Sequence, residues 1–145
     1  MTEPVRYVVD ASVAIKIFIE QTDSDKAKAL FNKLEEHSDT ELHVPELFYV
    51  ECANVLQQYV RRVGYPAAKA KANLARLQKL ALQRASIVDV VNEALDIAIA
   101  QNISAYDACY VQLSQKLQLP LITADLKLIR SLAETTYEVD SLSSL

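Results

Sequence analysis

Glycine is almost absent: Gly64 is the only one in 145 residues. Phosphate-binding loops and dinucleotide folds need several glycines for the backbone to approach a phosphate, so a bound nucleotide cofactor is not expected. Histidine is limited to His37 and His43. That is too few for a zinc site of the H-E-x-x-H or Cys/His kind, and it leaves a Ser-His-Asp triad few candidates. The two cysteines, Cys52 and Cys109, fall in helical patterns among small or apolar neighbours. Their spacing is neither that of a disulfide framework nor C-x-x-C, and they read as reduced core residues. No run of 18 or more uncharged apolar residues occurs, and Met1-Thr2-Glu3-Pro4 leads straight into a strand-like segment rather than a signal sequence. A soluble, cytoplasmic protein without a membrane partner is expected. Carboxylates are the chemical resource that remains.

What the chain does have is apolar residues, 51% of the total, enough for one continuous core in a single domain spanning 1–145. Tyr7-Val8-Val9 is a short β-rich run, and Ala11 to Phe18 suits a helix entered at Asp10 or Ser12. Ala27, Leu30, Phe31 and Leu34 define an amphipathic helix ending near His37. Leu42 to Val44 forms the next strand. Pro45 suits a first helical position, opening a long apolar stripe (Phe48, Cys52, Val55, Leu56, Tyr59, Val60, Val63) that stops at Gly64. Pro66 restarts a helix to about Gln83, Ser86-Ile87-Val88 reads as a strand, and Asp89 caps a helix carrying Ala94, Leu95, Ala98 and Ile99. Ser104 opens another, with the stripe Tyr106, Cys109, Tyr110, Leu113 and Leu117. Leu121-Ile122-Thr123 is a strand, Asp125 to Leu132 a helix, and Tyr137-Glu138-Val139 a last strand. Strands alternating with helices predict an α/β fold, a mainly parallel sheet covered on both faces.

The net charge of −4 hides a segregation of charge along the chain. From Cys52 to Val88 there is no Asp or Glu, yet Arg61, Arg62, Lys69, Lys71, Arg76, Lys79 and Arg84 all occur there. Without those seven cations the chain would carry −11. A basic block on an acidic protein is either a solvated helical face or a surface for a polyanion. Arg61, Arg62 and Lys69 are its candidates for contact with a nucleic-acid backbone, and Tyr59 and Tyr65 within it either pack or stack on unpaired bases.

Asp10 and Asp125 each follow a strand, and in open parallel sheets the functional crevice lies outside the carboxyl ends of the strands. The two acids therefore point to one edge, although either alone would be read as a helix cap. Glu51 lies within or beside the apolar stripe of its helix, with Asn54 and Val55 where a cation three or four residues on would stand. A carboxylate there needs a partner, which a metal ion would supply, unless it reaches water at the margin of the stripe. Asp107 completes the capping box Ser104-Ala105-Tyr106-Asp107, yet the same helix start would present it beside Asp10 and Asp125. Oxygen donors alone suit Mg²⁺ or Mn²⁺.

At these residues the sequence resembles the PIN-domain nucleases, in particular the VapC-type ribonuclease toxins of toxin–antitoxin pairs. The likeness is carried, in order, by Tyr7-Val8-Val9-Asp10-Ala11-Ser12, Val50-Glu51-Cys52-Ala53-Asn54-Val55-Leu56, Ser104-Ala105-Tyr106-Asp107-Ala108 and Pro120-Leu121-Ile122-Thr123-Ala124-Asp125. The resemblance implies a three-layer α/β/α fold with a five-stranded sheet ordered 3-2-1-4-5, a homodimer, and Mg²⁺- or Mn²⁺-dependent RNA cleavage, with a cognate antitoxin as a further partner. It also implies that Asp10, Glu51, Asp107 and Asp125 are the catalytic metal ligands, with Ser12 and Thr123 as supporting hydroxyls. Family members often have glycine before the fourth strand, where this chain has Gln118-Leu119. The competing expectation is a non-catalytic acidic-pocket module, such as a receiver-like signalling domain. Receivers usually carry two adjacent acids after the first strand, whereas Ala11 and Ser12 follow Asp10 here. A phosphatase with Asp10 as nucleophile would want a second Asp where Ser12 stands.

Overall fold

Val8 and Val9 are wholly buried because their strand, β1 (Arg6–Val9), is the middle one of five. The computed structural model describes residues 3–145. On one side of β1 lie β2 (Glu41–Pro45) and β3 (Gln83–Ala85), and on the other β4 (Leu121–Thr123) and β5 (Val139–Ser141), giving the order β3-β2-β1-β4-β5. Every pairing is parallel, with Val8 opposite Leu121 and His43, and Val9 opposite Ile122. Successive residues of a strand face opposite sides. Val8 and Val9, and likewise Leu121, Ile122 and Thr123, are all inaccessible, so both faces are covered.

The cover is helical. It consists of α1 (Ala11–Ala14), extended by a 3-10 turn over Ile15–Ile17, then α2 (Ser24–Glu36), α3 (Leu47–Val63), α4 (Ala67–Lys79), α5 (Val91–Gln101), α6 (Ala105–Leu117) and α7 (Leu126–Ser131). α3 stops at Gly64, whose φ of 70° is the left-handed conformation that glycine adopts without penalty. The turn after α6 needs the same conformation, and there Gln118 adopts it at φ 56°. A side chain pays roughly 1–2 kcal/mol for that geometry, which glycine would avoid. Both cysteines are free and buried, and no helix among the described residues is long and apolar enough to cross a membrane.

Several boundaries differ from expectation. Pro45 is the last residue of β2, opposite Ala85, and α3 begins two residues later. α4 ends at Lys79 rather than Gln83, because the following residues form β3. The third strand is therefore not Ser86–Val88: Ile87–Asp89 is a 3-10 turn and Val88 is exposed. β3 is an edge strand with a partner on one side only, so it needs no apolar run. Instead Arg84 lies over the Tyr49 ring and donates from Nε to its hydroxyl at 3.0 Å. Asp89 does not cap α5, which starts behind Val90 without a side-chain cap. Along α5 the buried residues are Ala94, Ile97 and Ala98, while Leu95 and Ile99 face outward. Tyr106 and Leu117, counted in the stripe of α6, are also exposed. β5 begins at Val139, two residues later than the apolar pattern suggested.

Candidate active site

β1 and β4 end side by side, and the amide of Asp10 donates to the Ile122 carbonyl at 3.3 Å. Asp10 is the N-cap of α1, 6% exposed, and its carboxylate is gripped from two sides. The Ser12 hydroxyl donates to Oδ1 at 2.5 Å, joined by the Ser12 amide at 3.1 Å, and the Thr123 hydroxyl donates to Oδ2 at 2.5 Å. Each hydroxyl is itself fixed by a backbone donor: Ala124 N–H to Ser12 Oγ at 2.9 Å, Asp125 N–H to Thr123 Oγ1 at 3.0 Å. Both hydroxyls thus bond to the Asp10 carboxylate, in a chain that ties the two strand ends together.

Glu51 sits in the second turn of α3, half-buried. Its partner comes from across the cleft, where the Tyr110 hydroxyl of α6 donates to Oε1 at 2.6 Å. Tyr110 was legible only as a core residue, and it is 2% exposed. The one signal for its role was Glu51 itself, a carboxylate in an apolar stripe with no cation on its own helix. Asp107 occupies the first turn of α6, its amide bonded to Ser104 Oγ at 3.0 Å. Asp125 caps α7, with Oδ1 accepting from the amides of Lys127 and Leu128 at 3.0 and 3.3 Å. Both capping readings hold, and capping does not remove either acid from the site. Asp10, Glu51, Asp107 and Asp125 all line one cleft of about 240 Å³, together with Ala11, Ser12, Asn54, Val55 and Tyr110.

The electrostatics are those of a crowded anionic site. Burial, then the charges of Asp107 and Glu51, push the Asp10 carboxyl up to about 6, against the pull of the Ser12 and Thr123 hydrogen bonds. Burial raises Glu51, Tyr110 lowers it, and Asp107 raises it again. Asp107 is raised by burial and by Asp125, and is lowered by Ser104 and Lys127. The ion pairs among the described residues join Arg6 to Glu41, Lys28 to Glu20 and His43 to Glu41, so none engages these four acids. The donor set is all oxygen, which fits a hard divalent cation. Among the described residues, however, no three Asp, Glu, His or Cys side chains are gathered tightly enough to hold an ion as they stand. Like charges without a cation between them favour separation, and the hydroxyls on Asp10 and Glu51 take lone pairs that a cation would share.

The basic residues lie elsewhere. Arg61 and Arg62 occupy the last turn of α3. They stand ten and eleven residues past Glu51, about 15 Å along the helix axis. Lys69, in the first turns of α4, lies over the Tyr65 ring at 5.6 Å. Tyr59 and Tyr65 are half-buried, their hydroxyls accepting from Gln21 Nε2 and Asn73 Nδ2, each at 2.6 Å. Tyr65 packs against the core.

A parallel α/β sheet with four carboxylates around one cleft at its carboxyl edge defines the structural class. The PIN domain model matches residues 7–134. Ribonuclease VapC9 of Mycobacterium tuberculosis is 34% identical over 121 residues, covering 83% of this chain and 87% of that protein. A crystal structure from Pyrobaculum aerophilum superposes with a TM-score of 0.69 at 22% identity, over 97% of this chain and 85% of that one. A chain of a toxin–antitoxin complex from Klebsiella pneumoniae superposes with a TM-score of 0.65 at 14% identity, over 94% and 97%. The chain belongs to the PIN-domain family, in its VapC-type branch.

Proposed function

We propose that this chain is a metal-dependent endoribonuclease, a single cytoplasmic nuclease domain that hydrolyses RNA phosphodiester bonds as the toxin of a toxin–antitoxin pair. The observation that carries this reading is the cleft at the carboxyl edge of the sheet, lined by four acids from four parts of the chain and engaged by no ion pair. Asp10, Glu51, Asp107 and Asp125 would hold Mg²⁺ or Mn²⁺, the last from the cap of α7. When bound, the cation supplies an activated water and a counter-charge for the phosphate. Ser12 and Thr123 hold the Asp10 carboxylate in one orientation, and Tyr110 does the same for Glu51. The carboxylates orient the attacking water. No side chain forms a covalent intermediate.

The partners follow from the same reading. A cognate antitoxin is supported by the likeness to the Klebsiella chain, which was solved within such a complex. A homodimer is supported by the exposed apolar residues Val91, Leu95 and Ile99 of α5, with Val88 in the turn before it. Arg61, Arg62 and Lys69 supply long-range attraction for the RNA backbone, remote from the chemistry. The test is cleavage of single-stranded RNA by purified protein with Mg²⁺ or Mn²⁺. EDTA abolishes the activity and excess metal restores it, whereas undiminished cleavage in chelator, with contaminating nuclease excluded, would sink the metal mechanism.

A further inference from the structure

Three acids of the cleft each have an exposed apolar neighbour in sequence. Val50, Tyr106 and Leu126 adjoin Glu51, Asp107 and Asp125, and are 70%, 66% and 57% exposed. A single exposed apolar side chain needs no explanation. Three of them beside three carboxylates of one cleft give its border a second chemistry. Tyr106 stands one helical turn before Tyr110, on the same ridge of α6, and Tyr110 lines the cleft. Val50 likewise stands one turn before the cleft residue Asn54 on α3. Helical side chains lean toward the helix N-terminus, so each covers the turn before its own Cα.

Tyr106 also differs from the other tyrosines. Tyr49 carries Arg84 on its ring, Tyr59 and Tyr65 accept amide hydrogen bonds, and Tyr110 holds Glu51. Tyr7 and Tyr137 pack against the core. Among the described residues Tyr106 takes part in no hydrogen bond, ring contact or ion pair with another side chain. It is about two-thirds exposed, adjoining the cleft residue Asp107 in sequence and one turn before the cleft residue Tyr110. The acids of the cleft repel a phosphate backbone, and the cations of α3 stand about 15 Å away. An uncharged, flat nucleobase is the part of a polynucleotide that this border can hold.

We propose that Tyr106 is a stacking platform for one unpaired base beside the scissile phosphate, with Val50 and Leu126 as its apolar borders. The proposal rests on the ribonuclease reading and deepens it. A base inside a duplex is already stacked on its neighbours and cannot use the platform, so Tyr106 makes the site select unpaired nucleotides.

The test uses the full chain and a single-stranded RNA oligomer carrying 2-aminopurine at successive positions, with Tyr106→Phe and Tyr106→Leu beside the parent. Steady-state cleavage separates KM from kcat. Fluorescence quenching, measured in an Asp10→Asn background so that nothing is cut, reports stacking directly. Tyr106→Phe keeps the quenching and the KM of the parent. Tyr106→Leu, apolar but not planar, loses the quenching at one position and raises KM about tenfold or more, the loss falling on KM rather than kcat. Melting curves of the three proteins superpose, since Tyr106 is about two-thirds exposed and makes no side-chain hydrogen bond or ring contact among the described residues. If the parent cuts the oligomer and Tyr106→Leu matches its KM and quenching, the platform is overturned while the ribonuclease reading stands. A fall in kcat at constant KM overturns it equally. If the parent neither binds nor cuts RNA with either metal, the ribonuclease reading falls and the platform with it.

Discussion

Asp10 holds a proton in the folded chain that it gives up in the unfolded one. Its carboxyl is pushed up to about 6, mainly by burial, whereas an unfolded aspartate titrates near 4. Between those values the native state binds the extra proton, so stability falls as pH rises. The contribution is fully present below pH 4 and lost by pH 6, a difference of about 3 kcal/mol by pH 7. Asp10→Asn should therefore cut no RNA yet melt as high as or higher than the metal-free parent at pH 7. Its advantage should shrink to nothing toward pH 4. Thermal melting in EDTA at both pH values, beside a cleavage assay, decides the matter; a variant inactive only because it unfolds would count against this account. Tyr110 works in the opposite sense, by favouring the charged form of Glu51. Burial and the Glu51 charge push its phenol up, so it remains a donor at any working pH. Tyr110→Phe should raise the Mn²⁺ concentration for half-maximal thermal stabilisation about tenfold while leaving the metal-free melting temperature close to the parent's. An unchanged titration would show that Tyr110 only fills space. Asp10 and Asp125 were legible in the sequence because each follows a strand. Tyr110 was not, since its partner is 59 residues away and apolar spacing describes a ring without its hydroxyl.

Along α3 the two chemistries are separated by the length of the helix, with Glu51 near its start and Arg61 and Arg62 at its end. Replacing Arg61, Arg62 and Lys69 together by neutral residues should flatten the slope of log K against log salt for single-stranded RNA by about 0.7 per lost phosphate contact. The metal titration should stay where it was. A triple variant with the parent's affinity and salt slope would make the block a solvated face and nothing more. The same region shows where periodicity misleads. Ser86-Ile87-Val88 has β-branched residues, yet the strand is the polar Gln83–Ala85, because an edge position asks for backbone pairing and not for burial. Leu95 and Ile99 fit a helical stripe as well as Ile97 does, and spacing alone does not say which side of α5 meets α6.

For the molecule as a whole, the outward side of α5 leaves apolar side chains uncovered. Ile99 is 73% exposed, and Leu95 and Val91 follow on α5 toward its start, with Val88 exposed in the turn before it. On the proposed homodimer, Ile99→Glu should give a monomer by sedimentation without lowering the melting temperature of the dilute chain; a parent already monomeric at all concentrations would assign the stripe to another partner. The parallel sheet was legible from the alternation of strands with helices, because parallel pairing needs crossovers and these helices supply them, while the strand order was legible only through the family resemblance. That order has a consequence for synthesis. β1 is made first, but its neighbour β4 comes more than a hundred residues later, and the Thr123 hydroxyl that grips Asp10 arrives with it. A nascent chain that ends before Leu121 lacks one acid, the second strand end and the hydroxyl on Asp10. On the proposed function, the ribosome making this chain therefore meets an incomplete set of acids until Asp125 has been added and β4 has paired with β1.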